Sequence, residues 1–198
     1  STQVNQLLSW SQFSRPRLQL DLRNDQSPRG LLALGLQRCG HCGHTARDLS
    51  APLDEAQRDA LRRFDLADYG LDGERAIDDI AGLLLHAQQC QARERPREAA
   101  LAGMQAAWRL DDRIEACSGR SDVVASDSLD ALRAAAAHVR RRAASAVKRS
   151  MATPEPLAPG QSGWAVHADL LRRAGDFARA AAACREVLTR ERFDDDEA

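Results

Sequence analysis

The chain has 198 residues, 29 acidic and 28 basic, and its formal net charge of −1 argues against a global electrostatic attraction to nucleic acid or to an acidic membrane. Aromatic residues make up only 4%, so we expect a core of Leu, Ala, Val and Ile, which favours closely packed helices over a β-sandwich. No apolar run approaches the roughly 20 residues of a membrane span, and residues 1–13 do not have the pattern of a signal peptide. Five cysteines are too few for a disulfide scaffold, and we expect a cytoplasmic protein.

The N-terminal part carries a strand pattern. Leucines alternate with polar residues over Leu18–Leu22, which is the period-2 signal of a half-buried strand. After a stretch typical of a turn, a second short apolar run, Leu31–Leu36, leads directly to Cys39. The sequence therefore predicts two short strands that deliver a cysteine turn, within a small element of residues 1–50.

From Pro52 onward the hydrophobic period is close to that of an α-helix, about 3.6 residues. The expected helices run from an N-cap at Ser50 or Asp54 to Phe64, and then over residues 74–92, 96–117 and 128–151. Pro96 is well placed at a first helical position. Residues 51–152 are thus predicted to form a helical bundle. Residues 153–163 hold three Pro and two Gly, which is typical of a linker.

Residues 164–192 predict two antiparallel helices, followed by an acidic tail at residues 193–198. The segment resembles a tetratricopeptide repeat, because large, small and turn residues recur at that spacing: Trp164, Ala168, Leu171, Gly175, Phe177, Ala180, Cys184 and Val187. Gly175 can take the positive φ that ends a helix. Cys184 is expected in the core of this hairpin, and Cys117 in the core of the bundle. One such unit has to pack on the preceding helices to bury its faces.

Residues 39–44, Cys-Gly-His-Cys-Gly-His, form the segment that most clearly indicates a chemical role. Two cysteines at the C-x-x-C spacing, followed by a glycine, favour a zinc knuckle. A tetrahedral site needs two further ligands, and His86 and Cys90 lie about 40° apart on one helix face. We therefore predict a closed, structural zinc site held by Cys39, Cys42, His86 and Cys90. The alternative set takes His41 or His44 from the turn itself.

Two other hypotheses for the cysteine pair stay open. Cys-Gly-His-Cys is also the active-site tetrapeptide of protein disulfide isomerases, so one hypothesis is a thiol–disulfide oxidoreductase that uses Cys39 and Cys42. In those enzymes the first cysteine begins a helix within a thioredoxin fold, whereas Gly43 interrupts any helix here and the downstream sequence is helical. The last hypothesis gives these thiols no chemical role.

Together, the cysteine turn and the C-terminal hairpin resemble a group of bacterial proteins of unknown function. These proteins join a strand-borne C-P-x-C-G knuckle to tetratricopeptide-like helices. Residues 36–43, Leu-Gln-Arg-Cys-Gly-His-Cys-Gly, match the knuckle except for its absent Pro, and Ala106–Trp108 matches an Ala-Ala-Trp helix that precedes the final repeat. Such proteins often carry a second knuckle near the N-terminus, which residues 1–38 do not contain. The resemblance implies a fold but no activity.

Arg133 and His138 fit the loose Arg-x₄₋₆-His pattern of helical ribonucleases of toxin systems, which handle the scissile phosphate and the 2′-hydroxyl with these two residue types. On an unbroken helix the two residues lie about 140° apart, which separates them. The same helix carries a basic strip, Arg140–Arg142 with Lys148 and Arg149, which is either a solvated face or a surface for phosphates or an acidic partner. No aromatic residues interleave with it to stack bases.

The leading hypothesis is a non-enzymatic adaptor with a structural zinc ion. A protein or peptide partner is expected in the groove between the last helices, near Trp164, His167 and Leu171. Neither nucleic acid, nor a membrane, nor a small-molecule substrate is indicated. The alternatives are the ribonuclease and the oxidoreductase. The predicted fold is mainly α: a helical bundle with a tetratricopeptide-like C-terminal hairpin, plus a small N-terminal β-hairpin and zinc-knuckle element.

Overall fold

The computed structural model describes residues 36–39, 41–46, 48–71, 78–118, 126–152, 157 and 163–195. Six α-helices and one short β-hairpin make up most of this part, and the predicted mainly α fold is confirmed. The strand predicted over residues 18–22 lies outside the described residues, as does all of the strand predicted over residues 31–36 except Leu36, which precedes β1. Among the helices that are described, none is both long and apolar enough to cross a membrane.

The helices lie close to the predicted positions. They are α1 (Glu55–Arg62), α2 (Asp78–Ala92), α3 (Pro96–Ser118), α4 (Ser126–Ser150), α5 (Gly163–Arg173) and α6 (Phe177–Asp195), with a short 3₁₀ helix at Leu66–Tyr69. Asp54 is the N-cap of α1: its carboxylate accepts from the backbone N–H of Gln57, and the Gln57 side chain accepts from the backbone N–H of Asp54. This reciprocal capping box satisfies two N–H groups that the first turn leaves unpaired.

Each helix from α2 onward packs on its neighbours in sequence, and the contact between α3 and α4 is the most extensive. Gly103 allows the close approach of these two helices, since a Cβ added there would lie 3.2 Å from the Cβ of Ala143. One hydrophobic core, around Leu110, joins α2, α3 and α4, and a second, around Met104, joins α3, α4 and α5. The bundle is therefore a serial stack whose middle helices contribute to both cores.

The C-terminal hairpin turns at Gly175, whose φ of +75° ends α5 as the sequence predicts. Ala180 and Ala183 of α6 are buried, whereas Phe177 and Cys184 are exposed. The prediction that Cys184 is a core residue is therefore wrong. The physical reason is that α5 is the main packing partner of α6, and Cys184 lies on the face of α6 that α5 does not cover.

The β-hairpin pairs β1 (Gln37–Arg38) with β2 (Thr45–Ala46) in antiparallel register, with Arg38 opposite Thr45. Strand β2 packs against α2, and Thr45 is buried there, while both residues of β1 are exposed. The hairpin thus attaches the cysteine turn to the surface of the bundle beside α2.

Candidate functional site

The turn between β1 and β2 carries Cys39 and Cys42. The pKa of the Cys39 thiol lies below its ordinary value because of hydrogen bonds within the turn. The largest contribution comes from the backbone N–H of Cys42, followed by the backbone N–H of His41 and the side chain of Cys42. Gly43, with a φ of +76°, donates its N–H to the Cys39 carbonyl over 2.9 Å. Cys42 is exposed and Cys39 is half-buried. The turn thus presents two accessible sulfur atoms, and backbone N–H groups point at one of them. Such a pair of thiols is suited to bind Zn²⁺.

The other two predicted zinc ligands form a separate pair on α2. Nε2 of His86 lies 3.6 Å from Sγ of Cys90, and Nδ1 of His86 lies 3.3 Å from the carbonyl oxygen of Thr45. All cysteines and histidines of the chain are among the described residues, and within that part no three His, Cys, Asp or Glu side chains are grouped around a point that could hold a metal ion. The joint binding of one ion by both pairs stays a prediction.

His44, the alternative ligand from the turn, lies in the interior of the protein and is 5% exposed. Its Nδ1 lies 2.9 Å from Nε2 of Gln89, so the amide donates to an unprotonated ring nitrogen. Burial lowers the pKa of His44, which favours this neutral ring. Gln89 is itself buried, and its Oε1 has no hydrogen-bond partner in the described part of the chain. Both residues line a cavity of about 500 Å³ between β2, the loop before α1, and the facing parts of α2 and α3.

A groove of about 840 Å³ lies between α4, α5 and α6, at the place where the sequence predicts a partner site. Trp164, His167 and Leu171 line it from α5, because their spacing of three and four residues puts them on one helix face. Leu171 is only 4% exposed and therefore forms the floor of the groove. The structure brings all three predicted residues together.

His167 is fixed in this groove by a backbone contact. Its Nδ1 lies 2.9 Å from the carbonyl oxygen of Ala144, so Nδ1–H donates and Nε2 carries a lone pair. Burial, followed by the charge of Lys148, lowers the pKa of His167, against the opposing effect of the hydrogen bond to Ala144. The ring edge of Trp164 meets it at a centroid distance of 6.1 Å. The imidazole is therefore neutral and oriented at neutral pH.

Basic side chains line the rest of the groove. Arg141, Lys148 and Arg149 extend into it from α4 and Arg179 from α6, with Glu186 as an acidic residue among them. Arg141 also donates from Nη1 to the carbonyl oxygen of Ala174 over 3.2 Å, which ties α4 to the end of α5. The groove thus combines an aromatic and apolar wall with a positively charged rim.

The basic strip predicted along α4 is divided by the fold. Arg140 is buried and pairs with Asp111 of α3. The guanidinium of Arg142 lies 4.4 Å from the ring centroid of Tyr69, a cation–π contact. The remaining members, at positions 141, 148 and 149, line the groove. The strip is therefore neither uniformly solvated nor one continuous surface for phosphates.

Arg133 and His138, the predicted ribonuclease pair, lie on the same unbroken helix α4 in different surroundings. Arg133 is exposed and pairs with Asp130 over 2.9 Å. The ring of His138 packs edge-on against Tyr69, at a centroid distance of 6.2 Å, and burial, then the nearby arginines, lower its pKa. The structure does not bring these two side chains together in one concave site.

Sequence reasoning missed two features of these sites. The pair of His44 and Gln89 links residues 45 positions apart, and no local pattern signals such a contact. Arg141 and Arg179 line the groove from α4 and α6, the helices on either side of α5. Their spacing in the sequence does not indicate that they face the same groove. The sequence does indicate on which face of α4 the basic residues lie, because that face is opposite the apolar stripe of the helix.

Comparison with protein-family models, with curated proteins and with solved structures finds no match to this chain. The resemblance to bacterial proteins that combine a knuckle with repeat-like helices accordingly stays a prediction.

Proposed function

We propose that the chain is a protein-interaction scaffold whose groove between α4, α5 and α6 binds an acidic segment of a partner protein. The observation that carries the proposal is the lining of the groove, in which four basic side chains, at positions 141, 148, 149 and 179, surround an aromatic and apolar wall. A carboxylate-rich segment with an apolar anchor complements both parts of this lining.

The two parts have different physical roles. Apolar contacts with the half-buried Trp164 contribute most of the affinity, because burying an aromatic anchor removes apolar surface from water, whereas Leu171 is already buried and shapes the floor of the groove. The basic rim contributes orientation, partner selection and association rate more than affinity, since its charges are partly solvated. Binding is therefore expected to weaken at high salt without being lost.

A direct test uses fluorescein-labelled helical peptides rich in Glu and Leu, with peptides rich in Lys and Leu for comparison. We expect the acidic set to bind and to shift the indole N–H resonance of Trp164. The double change Lys148→Glu/Arg149→Glu is expected to weaken binding about tenfold or more, because it reverses two charges of the rim. Arg113→Glu/Arg133→Glu alters net charge equally at exposed positions outside the groove and is the matched control. Equal binding of both peptide sets, or no effect of the groove variant, would contradict the proposal.

We further propose that Cys39 and Cys42 bind a structural zinc ion. The support is the turn itself, where backbone N–H groups stabilise the Cys39 thiolate and Cys42 is exposed. Protein purified without a histidine tag should contain zinc by elemental analysis, and Cys39→Ser/Cys42→Ser should remove it. The thiol–disulfide hypothesis predicts instead that the same pair reduces insulin disulfides.

A cytoplasmic location is part of the proposal. All five cysteines are free thiols in the structure, and Cys42 and Cys184 are exposed. Exposed thiols persist in a reducing compartment and are oxidised outside it. Thiol labelling of protein taken directly from cells checks this point, because a cytoplasmic chain should give five reactive thiols after denaturation without reductant.

A further inference from the structure

We infer that the zinc ion is shared by two copies of this chain, each of which contributes Cys39 and Cys42. The inference rests on the zinc binding proposed above and adds the source of the remaining ligands. A structural zinc ion takes four ligands in tetrahedral geometry, and two knuckles supply four thiolates. The partner copy thus completes a site that one turn leaves half built.

The other histidines beside the turn have engagements of their own. Nδ1 of His44 accepts from buried Gln89, and the ring of His86 lies between the Thr45 carbonyl and Cys90. In the part of the chain that the structure describes, neither ring is grouped with both Cys39 and Cys42 around a point that could hold a metal ion, so recruiting either one would require the cysteine turn or α2 to move. Among the cysteines and histidines beside the turn, this leaves His41, which together with Cys39 and Cys42 would give three ligands from one chain. A fourth protein ligand has to come from elsewhere.

The position of the turn suits a second copy. The hairpin buries its β2 side against α2, while Cys42, His41 and both residues of β1 are exposed on the side that faces solvent. As far as the described residues are concerned, two such turns can therefore meet around a metal ion without rearrangement of either helical bundle. A two-fold axis through the ion would relate the copies, which is the commonest symmetry of protein dimers.

The charge of the turn also favours four thiolates. Four thiolates around one Zn²⁺ leave an excess of negative charge, which needs compensation near the site. The guanidinium of Arg38 lies over the turn, with Nη2 and Nε at 3.9 and 4.0 Å from the position of a Cβ at Gly43. Each copy brings one such cation, so the pair of turns carries two.

Sharing an ion has a functional consequence. It holds two grooves at a fixed spacing, so a partner with two acidic segments, or two linked partners, binds more tightly than it does to one groove. The gain comes from effective concentration and requires no new contact in either groove. Zinc availability would then set the avidity of the scaffold and leave the affinity of each groove unchanged.

The test measures oligomeric mass by light scattering and zinc by elemental analysis on the same untagged, full-length sample. We expect a dimer with about one zinc ion per two chains, and monomers after treatment with EDTA. Cys39→Ser/Cys42→Ser should be monomeric and free of zinc, with an unchanged far-ultraviolet circular dichroism spectrum. Cys117→Ser/Cys184→Ser removes the same number of thiols elsewhere, and should remain a zinc dimer.

The outcomes separate this inference from the proposals on which it rests. A monomer with one zinc ion per chain would overturn the sharing and leave zinc binding intact. Loss of zinc in His86→Ala/Cys90→Ser would also overturn it, in favour of a site within one chain. The inference would also be wrong if the dimer persisted after both turn cysteines were changed, or if the purified protein contained no zinc. Peptide binding by the groove is measured independently of all four results.

Discussion

At the scale of single residues, the imidazoles of the buried His44 and His167 and of the half-buried His138 should make stability depend on pH. Burial is the largest cause of the lowered pKa of His44, of His138 and of His167. As pH falls through about 6.5, the unfolded chain takes up these protons before the folded chain does, so the free energy of unfolding decreases. Stability is full above that pH. We expect a lower midpoint of thermal unfolding at about pH 5.5 than at about pH 7.5, measured by circular dichroism at constant ionic strength.

His167→Gln separates one of these contributions. The amide of Gln can donate to the Ala144 carbonyl as Nδ1–H of His167 does, but it does not titrate. We expect the variant to lose less stability between these two pH values than the original protein. A pH profile identical to the original would mean that His167 is not a source of the acid sensitivity.

How far individual residues could be predicted depends on the distance in sequence between the partners. Cys39 and Cys42 are only three residues apart, so their C-x-x-C spacing alone places both in one turn. The α5 face of the groove follows from a helical repeat in the same way. Gln89 could not be found, because its partner His44 lies on another element and its burial results from the packing of β2 on α2.

At the scale of elements, the α5–α6 hairpin allows a matched comparison of two leucines. Leu171 is 4% exposed at the floor of the groove, whereas Leu188 is 59% exposed on the outer face of α6. We expect Leu171→Ala to lower the free energy of unfolding by about 2–5 kcal/mol, because it opens a cavity. Leu188→Ala should change it by less than about 0.5 kcal/mol. Urea denaturation measures both, and similar losses would show that the outer face of α6 is covered in solution.

The close approach of α3 and α4 depends on the missing side chain at Gly103. A Cβ there would already lie 3.2 Å from that of Ala143, so Gly103→Val has to push the helices apart. Overpacking of this kind costs about 1–3 kcal/mol. Ala116→Val, at an exposed position of the same helix, introduces the same side chain without a neighbour and is the control in urea denaturation. Equal stability of the two variants would mean that the helices separate at little cost.

Elements were predictable where a long periodic pattern and a terminating residue coincide. The apolar stripe of α4 and Pro96 at the start of α3 placed those helices to within one or two residues. The strands β1 and β2 have only two residues each, too few for any period to be detected. The core position expected for Cys184 is wrong because burial on α6 depends on which face its packing partner covers, and Cys184 lies on the face that α5 leaves open.

At the scale of the whole molecule, the order of packing follows the order of the chain. Each of the helices α2 to α5 contacts the helix that follows it in the chain. Such local contacts can be anticipated from short connections and apolar faces. The groove cannot be anticipated in this way, because residues of three helices, α4, α5 and α6, line it together. Its charge is the sum of the charged side chains that these three helices contribute. Its residues on α5 and the basic strip on α4 were therefore predictable, while their meeting with Arg179 in one groove emerged only with the fold.

The distribution of the cores predicts what removal of zinc does to the molecule. Both cores are built almost entirely from helical side chains, to which the described residues of the N-terminal part add the packing of β2 on α2 and the partly buried Leu36. Unlike a small zinc domain, which is unfolded without its metal, this bundle should keep its structure because its hydrophobic burial does not depend on the ion. We expect EDTA to leave the far-ultraviolet circular dichroism unchanged while hydrogen exchange accelerates at residues 39–46. A cooperative loss of helix on chelation would mean instead that the cysteine turn supports the cores.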